Sequence, residues 1–239
     1  METIEEAEQM LFDLVSRFRG GEDDVRPNGE TFRNVLTALR RRKNQVSGAK
    51  VEQLLQIQEG LYATTKEEDL KMDGRLYNLA LYTISRSRDT KKAVRARRMV
   101  DKLKELDDGQ MDVRTYFNLL SASAYTNGTP EEKLEAFQIA VDALKELRES
   151  LGREPDSSCF GMFLKACANL MPESRKRDAV VSSVFKKCCS DGLVDDFVLS
   201  EFERASSEAL QLEILGGFLE DDVRIPEEWS KNVEEDDEV

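Results

Sequence analysis

The sequence predicts an all-α chain in which about five antiparallel helical hairpins stack as an α-solenoid. Three observations carry that prediction. A short helix-start pattern recurs along the 239 residues. Between its copies, apolar residues return at helical spacing, and no period-two alternation of useful length marks a strand. A hairpin with an apolar stripe on each helix cannot bury both stripes alone, so neighbouring hairpins must stack.

The copies read "RPNGETFRNVLTAL" from Arg26, "KMDGRLYNLALYTI" from Lys71, "QMDVRTYFNLLSAS" from Gln110 and "EPDSSCFGMFLKAC" from Glu154. Each has Pro or Met, then Asn or Asp, three intervening residues, an aromatic, and apolar residues three and four further on. A fainter fifth copy is "LVDDFVLSEFERAS", with Leu199 in the aromatic place. Phe32, Tyr77, Tyr116, Phe160 and Leu199 are 45, 39, 44 and 39 residues apart. Asn28, Asp73, Asp112 and Asp156 place a side-chain oxygen where it can cap a helix start. Behind the cap, Phe32 shares a face with Val35 and Leu36, Tyr116 with Leu119 and Leu120, and Phe160 with Phe163 and Leu164.

A second helix follows each first one. Val51, Leu54, Leu55, Gln58, Leu61 and Tyr62 mark one, with Gln58 the polar interruption. Val94, Met99, Val100, Leu103 and Leu106 mark the next. Leu134, Phe137, Val141, Leu144 and Leu147 mark a third, opened by "TPEE" with a cap at Thr129, a first-turn proline and Glu132 closing a capping box. Val180, Val181, Val184, Phe185 and Cys188 mark a fourth. Ahead of them all, Ala7, Met10, Leu11, Leu14, Val15 and Phe18 form a stripe with no first helix before it. Residues 1–24 therefore read as the second helix of an incomplete first repeat, whose stripe lacks a partner on one side. Residues 25–218 read as the repeat domain. Residues 219–239 read as an acidic, disordered tail, in which the single tryptophan, Trp229, either tucks against the last helix or anchors a partner.

Net charge is −13, but it is unevenly spread. Residues 25–104 carry 19 bases against 9 acids, net +10, whereas residues 105–218 carry 12 against 21, net −9. One half could thus offer a basic surface despite the acidic whole. No apolar run is long enough to span a membrane, and the acidic opening "METIEEAEQM" is neither a signal nor a transit peptide. The expected location is intracellular. Cys159, Cys167, Cys188 and Cys189 form no C-x-x-C pair, and histidine is absent. A zinc site would need all four thiolates at unusual spacing; the plainer reading is buried packing residues. No metal or small-molecule cofactor is expected.

These residues resemble the pentatricopeptide repeat family. "RTYFNLL", "RLYNLAL" and "LKACANL" resemble its first helix, and "VFKKCCSDGLVDD" its second helix and exit. The likeness spans roughly residues 3–215, with units longer than the family's usual length of about 35 residues. It implies a right-handed superhelix that binds single-stranded RNA, one base per repeat, read by side chains on the concave face. Carried over, the first readers are Arg33, Asn78, Phe117 and Gly161. The closing readers are Asp73, Asp112, Asp156 and Asp195. Asn78 with Asp112 resembles a uracil-type pair, whereas Arg33, Phe117 and Gly161 depart from the family's choices. The base-stacking position, apolar in the family, holds Glu30, Arg75, Arg114 and Ser158. A later position near phosphate holds Arg41, Arg86, Tyr125 and Asn169. Family membership also implies a mitochondrion or plastid if an N-terminal segment is missing, and otherwise the cytoplasm.

Other basic runs are "LRRRKN" and "KKAVRARR"; Lys91–Arg98 in the second reads as the wet outer face of a second helix. Catalysis has little to work with. Without histidine there is no His-based triad or His-ligated metal, and "NGETF" lacks the glycines and lysine of a phosphate loop. Residues 219–239 are too few for the nuclease domain some family members append, so Asp221 and Asp222 read as tail. The expected function is non-catalytic: RNA binding in processing, stability or translation. The alternative is a protein-binding scaffold, engaging partners through a concave peptide groove or the acidic tail.

Overall fold

The computed structural model describes residues 4–22, 24–41, 46–106, 111–152, 155–219 and 224–233. Arg42 and Lys43 of the first basic run, and Asp221 and Asp222, lie outside the described residues. Among the described residues the chain is all-helical, with eleven α-helices and no strand. It divides into two compact units, Met1–Met111 and Asp112–Val239. The repeat domain expected over residues 25–218 is thereby split between its second and third copies. No helix among the described residues is long and apolar enough to cross a membrane.

The first unit holds α1 (Ile4–Arg19), α2 (Gly29–Arg41), α3 (Gly48–Thr65), α4 (Gly74–Ser85) and α5 (Lys92–Lys104), with a 3-10 turn at Glu68–Leu70. α2 packs on α1, α3 and α4, while α5 packs on α3 and α4. The recurring polar residue starts each first helix as its position predicts. Asn28 Oδ1 accepts the Thr31 N–H at 2.9 Å, and Asp73 Oδ1 accepts that of Leu76 at 2.7 Å. Behind those caps Phe32, Leu36, Tyr77 and Leu81 are all at most 2% exposed. Gln58 is not a flaw in its stripe: buried in α3, it donates to the Leu70 carbonyl at 3.1 Å and ties down the 3-10 turn. α1 buries only Glu8, Leu11 and Val15, leaving Met10 exposed and Ala7, Leu14 and Phe18 half-buried.

The second unit holds α6 (Val113–Ala124), α7 (Pro130–Leu151), α8 (Ser157–Leu170), α9 (Arg175–Asp191), α10 (Asp196–Ala205) and α11 (Glu208–Leu215), with a 3-10 turn at Glu227–Trp229. α8 is central and packs on α6, α7, α9 and α10. Asp112, Asp156 and Asp195 cap α6, α8 and α10 by accepting the N–H groups of Thr115, Cys159 and Val198 at 2.7–2.8 Å. Thr129 and Glu132 close the expected capping box on α7. In the fifth copy Val198 and Phe202 fill the core, while Leu199 is only half-buried.

The expected stripe of α7 is corrected. Ala136, Ala140, Ala143, Leu144 and Leu147 face the core, Val141 and Phe137 are half-buried, and Leu134 is 69% exposed. Small residues at the contact let two helices approach closely, and alanine supplies that here. Residues 224–233, expected as solvated tail, fold back on α9. Trp229 packs edge-on to Phe185, which stacks on Phe202 with centroids 3.9 Å apart. Val194 N–H donates to the Trp229 carbonyl and Asn232 N–H to the Gly192 carbonyl, both at 2.8 Å. Gly192 ends α9 at φ +70°, and a Cβ there would lie 2.7 Å from Lys231. The backbone turn and the returning segment both require glycine.

Candidate nucleic-acid interface

The ion pairs of the first unit sort its cations into two groups. Those on the second helices are tied to carboxylates. Arg95 pairs with Asp89 at 2.6 Å and with Glu52, and Lys102 pairs with Glu59 at 2.6 Å. Lys50 pairs with Glu8, and Arg97 with Asp101. Lys92 is buried, donates to the Ser87 carbonyl at 2.6 Å, and has its pKa lowered by burial against the pull of Asp89. Lys91–Arg98 is therefore not a wet face that touches nothing; half of it is packed into α3 and the turn before α5. Tyr77 extends the lattice. Its hydroxyl donates to Glu59 at 2.8 Å, and its pKa is raised, first by burial and then by that carboxylate.

The cations of the first helices behave differently. With 3.6 residues per turn, Arg33, Thr37, Arg40 and Arg41 share one side of α2, and Arg75, Asn78, Tyr82 and Arg86 one side of α4. The two sides meet. The Arg40 guanidinium lies 4.5 Å from the Tyr82 ring centroid and that of Arg86 lies 5.6 Å from it. Arg40, Arg41, Arg75 and Arg86 are exposed, and among the described residues no carboxylate pairs with any of them. Exposed guanidiniums without acidic partners keep their full charge for an outside anion.

Arg33 and Asp73, the two expected reader positions of the first copy, instead engage each other. Arg33 Nη2 donates to Asp73 Oδ2 at 3.2 Å, while Oδ1 of the same carboxylate caps α4. Asn78 is half-buried on α4, and Asp112 caps α6 in the other unit. The remaining two sequence candidates, Arg114 and Phe117, also lie on α6, exposed and half-buried respectively. Glu30 is exposed at the start of α2. From sequence alone, Arg40 counted only within the basic run "LRRRKN", and Tyr82 was passed over. Tyr82 could have been found from its spacing, four residues before Arg86 on the same helical face.

In the second unit the matching face is filled by the chain itself. Gly161 stands where the sequence led us to expect a reader, and a Cβ there would lie 2.4 Å from the Phe197 ring. Its bareness makes room for α10. Lys165 sits 5.4 Å from the ring centroids of both Tyr125 and Phe197 and pairs with Glu201, whose side chain is 4% exposed. Arg204 closes the network on Glu201 at 2.8 Å. Asn169 Nδ2 donates to the Ala124 carbonyl at 2.9 Å.

Cys159, Cys167 and Cys188 are buried, and burial pushes every thiol up, Cys167 and Cys189 to about 12. Such thiols are inert as nucleophiles at neutral pH. Among the described residues no group of three or more His, Cys, Asp or Glu could hold a metal ion. No protein-family model matches the chain, and no curated protein or solved structure matches it.

Proposed function

We propose that this chain is a non-catalytic, pentatricopeptide-like α-solenoid that binds single-stranded RNA in processing, stability or translation, and that the α2–α4 face carries the RNA. One observation supports this above the others: Arg40 and Arg86 flank Tyr82, and with Arg41 and Arg75 on the same helix faces they are exposed guanidiniums without described acidic partners. Guanidinium planes and aromatic rings both accept a stacked base, and free guanidiniums take phosphate bidentately. The capping duty of Asp73, Asp112, Asp156 and Asp195 limits base reading by their carboxylates. The proposed binding is therefore led by the backbone and by stacking, with little sequence preference.

Four phosphate contacts on a single strand give a log–log salt slope of about −3. Filter retention of a random single-stranded RNA pool, titrated with salt, tests this. The expected result is binding that weakens with about that slope and falls at least tenfold in Arg41→Glu plus Arg86→Glu. Background retention at low salt would remove the RNA reading and leave the protein-scaffold alternative.

A further inference from the structure

The second unit carries an apolar groove of about 590 Å³ that its own packing does not use. Its floor is Pro130, Leu134 and Phe137 from the start of α7, with Leu170 from the end of α8 and Met171 and Pro172 from the turn before α9. Among the described residues Leu134 is the most exposed of the large apolar side chains, at 69%. It stands there because the alanines of α7 took the core, so helix packing gives no reason for a leucine. The Phe137 ring lies 6.0 Å from that of Phe163, which anchors the floor on α8.

The charges around the groove carry the argument further. Among the described residues its only charged lining groups are Lys133 and Lys176, one on each wall. Neither pairs with a described carboxylate, and the same holds for Arg114, Arg175, Arg224 and Lys231, whereas Lys145, Lys165, Lys186, Lys187, Arg177 and Arg204 of the same unit do pair. The unit as a whole is acidic, with 14 bases against 28 acids over residues 112–239. Glu131, Glu132, Glu135 and Glu173 neighbour lining residues in the sequence but do not line the groove themselves, and more distant charge is screened beyond about 8 Å at physiological salt, so the charges that line the groove are the two lysines. An apolar floor between two free ammonium groups is complementary to a short peptide with one or two large apolar residues beside carboxylates.

We infer that this groove docks an acidic peptide segment of a protein partner, with its apolar side chain over Leu134 and Phe137 and its carboxylates on Lys133 and Lys176. The site is separate from the α2–α4 face and does not depend on RNA binding.

Panning a random dodecapeptide display library on the full chain tests the inference, followed by anisotropy titration of one labelled selected peptide. Enriched peptides should combine Leu, Phe or Trp with two or more Asp or Glu. Their affinity should fall at least tenfold in Leu134→Asp and in Lys133→Glu plus Lys176→Glu, and stay within twofold in Arg41→Glu plus Arg86→Glu. Because Leu134 and Lys176 are exposed, thermal melting should not change. Failure to enrich such peptides would overturn the inference, as would enrichment whose binding ignores Leu134→Asp. So would a dimer, or adsorption to anionic vesicles, that Leu134→Asp abolishes.

Discussion

Replacing Gly161 with alanine should destabilise the second unit, against the usual rule for helices. Alanine in a helix interior is normally worth about 1 kcal/mol over glycine. In α8, however, the added Cβ would lie 2.4 and 2.5 Å from two carbons of the Phe197 ring. Real Cβ atoms do not approach so closely, and Phe197 is held by α10 packing on α8. Overpacking of this kind costs about 1–3 kcal/mol. The net expectation is a loss of up to about 2 kcal/mol. Removing the ring should reverse the sign: in a Phe197→Ala background, Gly161→Ala should stabilise by about 1 kcal/mol, its helix propensity alone. Urea unfolding followed by tryptophan fluorescence suits the question. Trp229 is the chain's single tryptophan and packs on Phe185 in the same unit. Stabilisation by Gly161→Ala in the wild-type background, or the same sign in both, would refute the account of Gly161 as a packing glycine.

Two other substitutions separate a satisfied from an unsatisfied hydroxyl. Tyr77 donates to Glu59, so Tyr77→Phe should cost about 1 kcal/mol in chemical denaturation. The Tyr116 hydroxyl is buried without a partner among the described residues, so Tyr116→Phe should be neutral or stabilising by about 1 kcal/mol. The thiols predict an alkaline weakness. Cys167 is held at about 12 in the fold, against about 8.5 unfolded. The folded chain then keeps a proton that the unfolded chain releases, so this contribution is complete below about pH 8.5 and is lost as pH rises toward 12. Between about pH 9 and 11, denaturation of Cys167→Ala should show a stability slope shallower by about 1.4 kcal/mol per pH unit.

What the sequence foretold is local. Asn28, Asp73, Asp112 and Asp156 cap because an N-cap needs only its own next turn, and the aromatic four residues on is buried because the same turn aims it inward. Longer-range features escaped. Leu134 outranks Ala136 in any hydropathy count, yet helix contact selects for size as well as apolarity. The charge sum marked residues 25–104 as basic but could not sort paired cations from free ones. Glu52 and Glu59, which pair with Arg95 and Lys102, lie 43 residues away on α3. Gly161 looked like a missing reader because its neighbour Phe197 belongs to a helix 36 positions further on. Arg33 was singled out by its position in the repeat, but its pairing with Asp73 depends on how α2 meets α4.

The central claim is that RNA lies on the α2–α4 face around Tyr82. Photocrosslinking of the full chain to single-stranded RNA containing 4-thiouridine, followed by trypsin and mass spectrometry, addresses it most directly. Cleavage after Arg75 and Arg86 isolates "LYNLALYTISR", which carries Asn78 and Tyr82. The account predicts a nucleotide adduct on that peptide, lost in Arg41→Glu plus Arg86→Glu, where the corresponding tryptic peptide runs from Leu76 to Arg88. Adducts confined to the second unit, or no adduct at low salt, would contradict it.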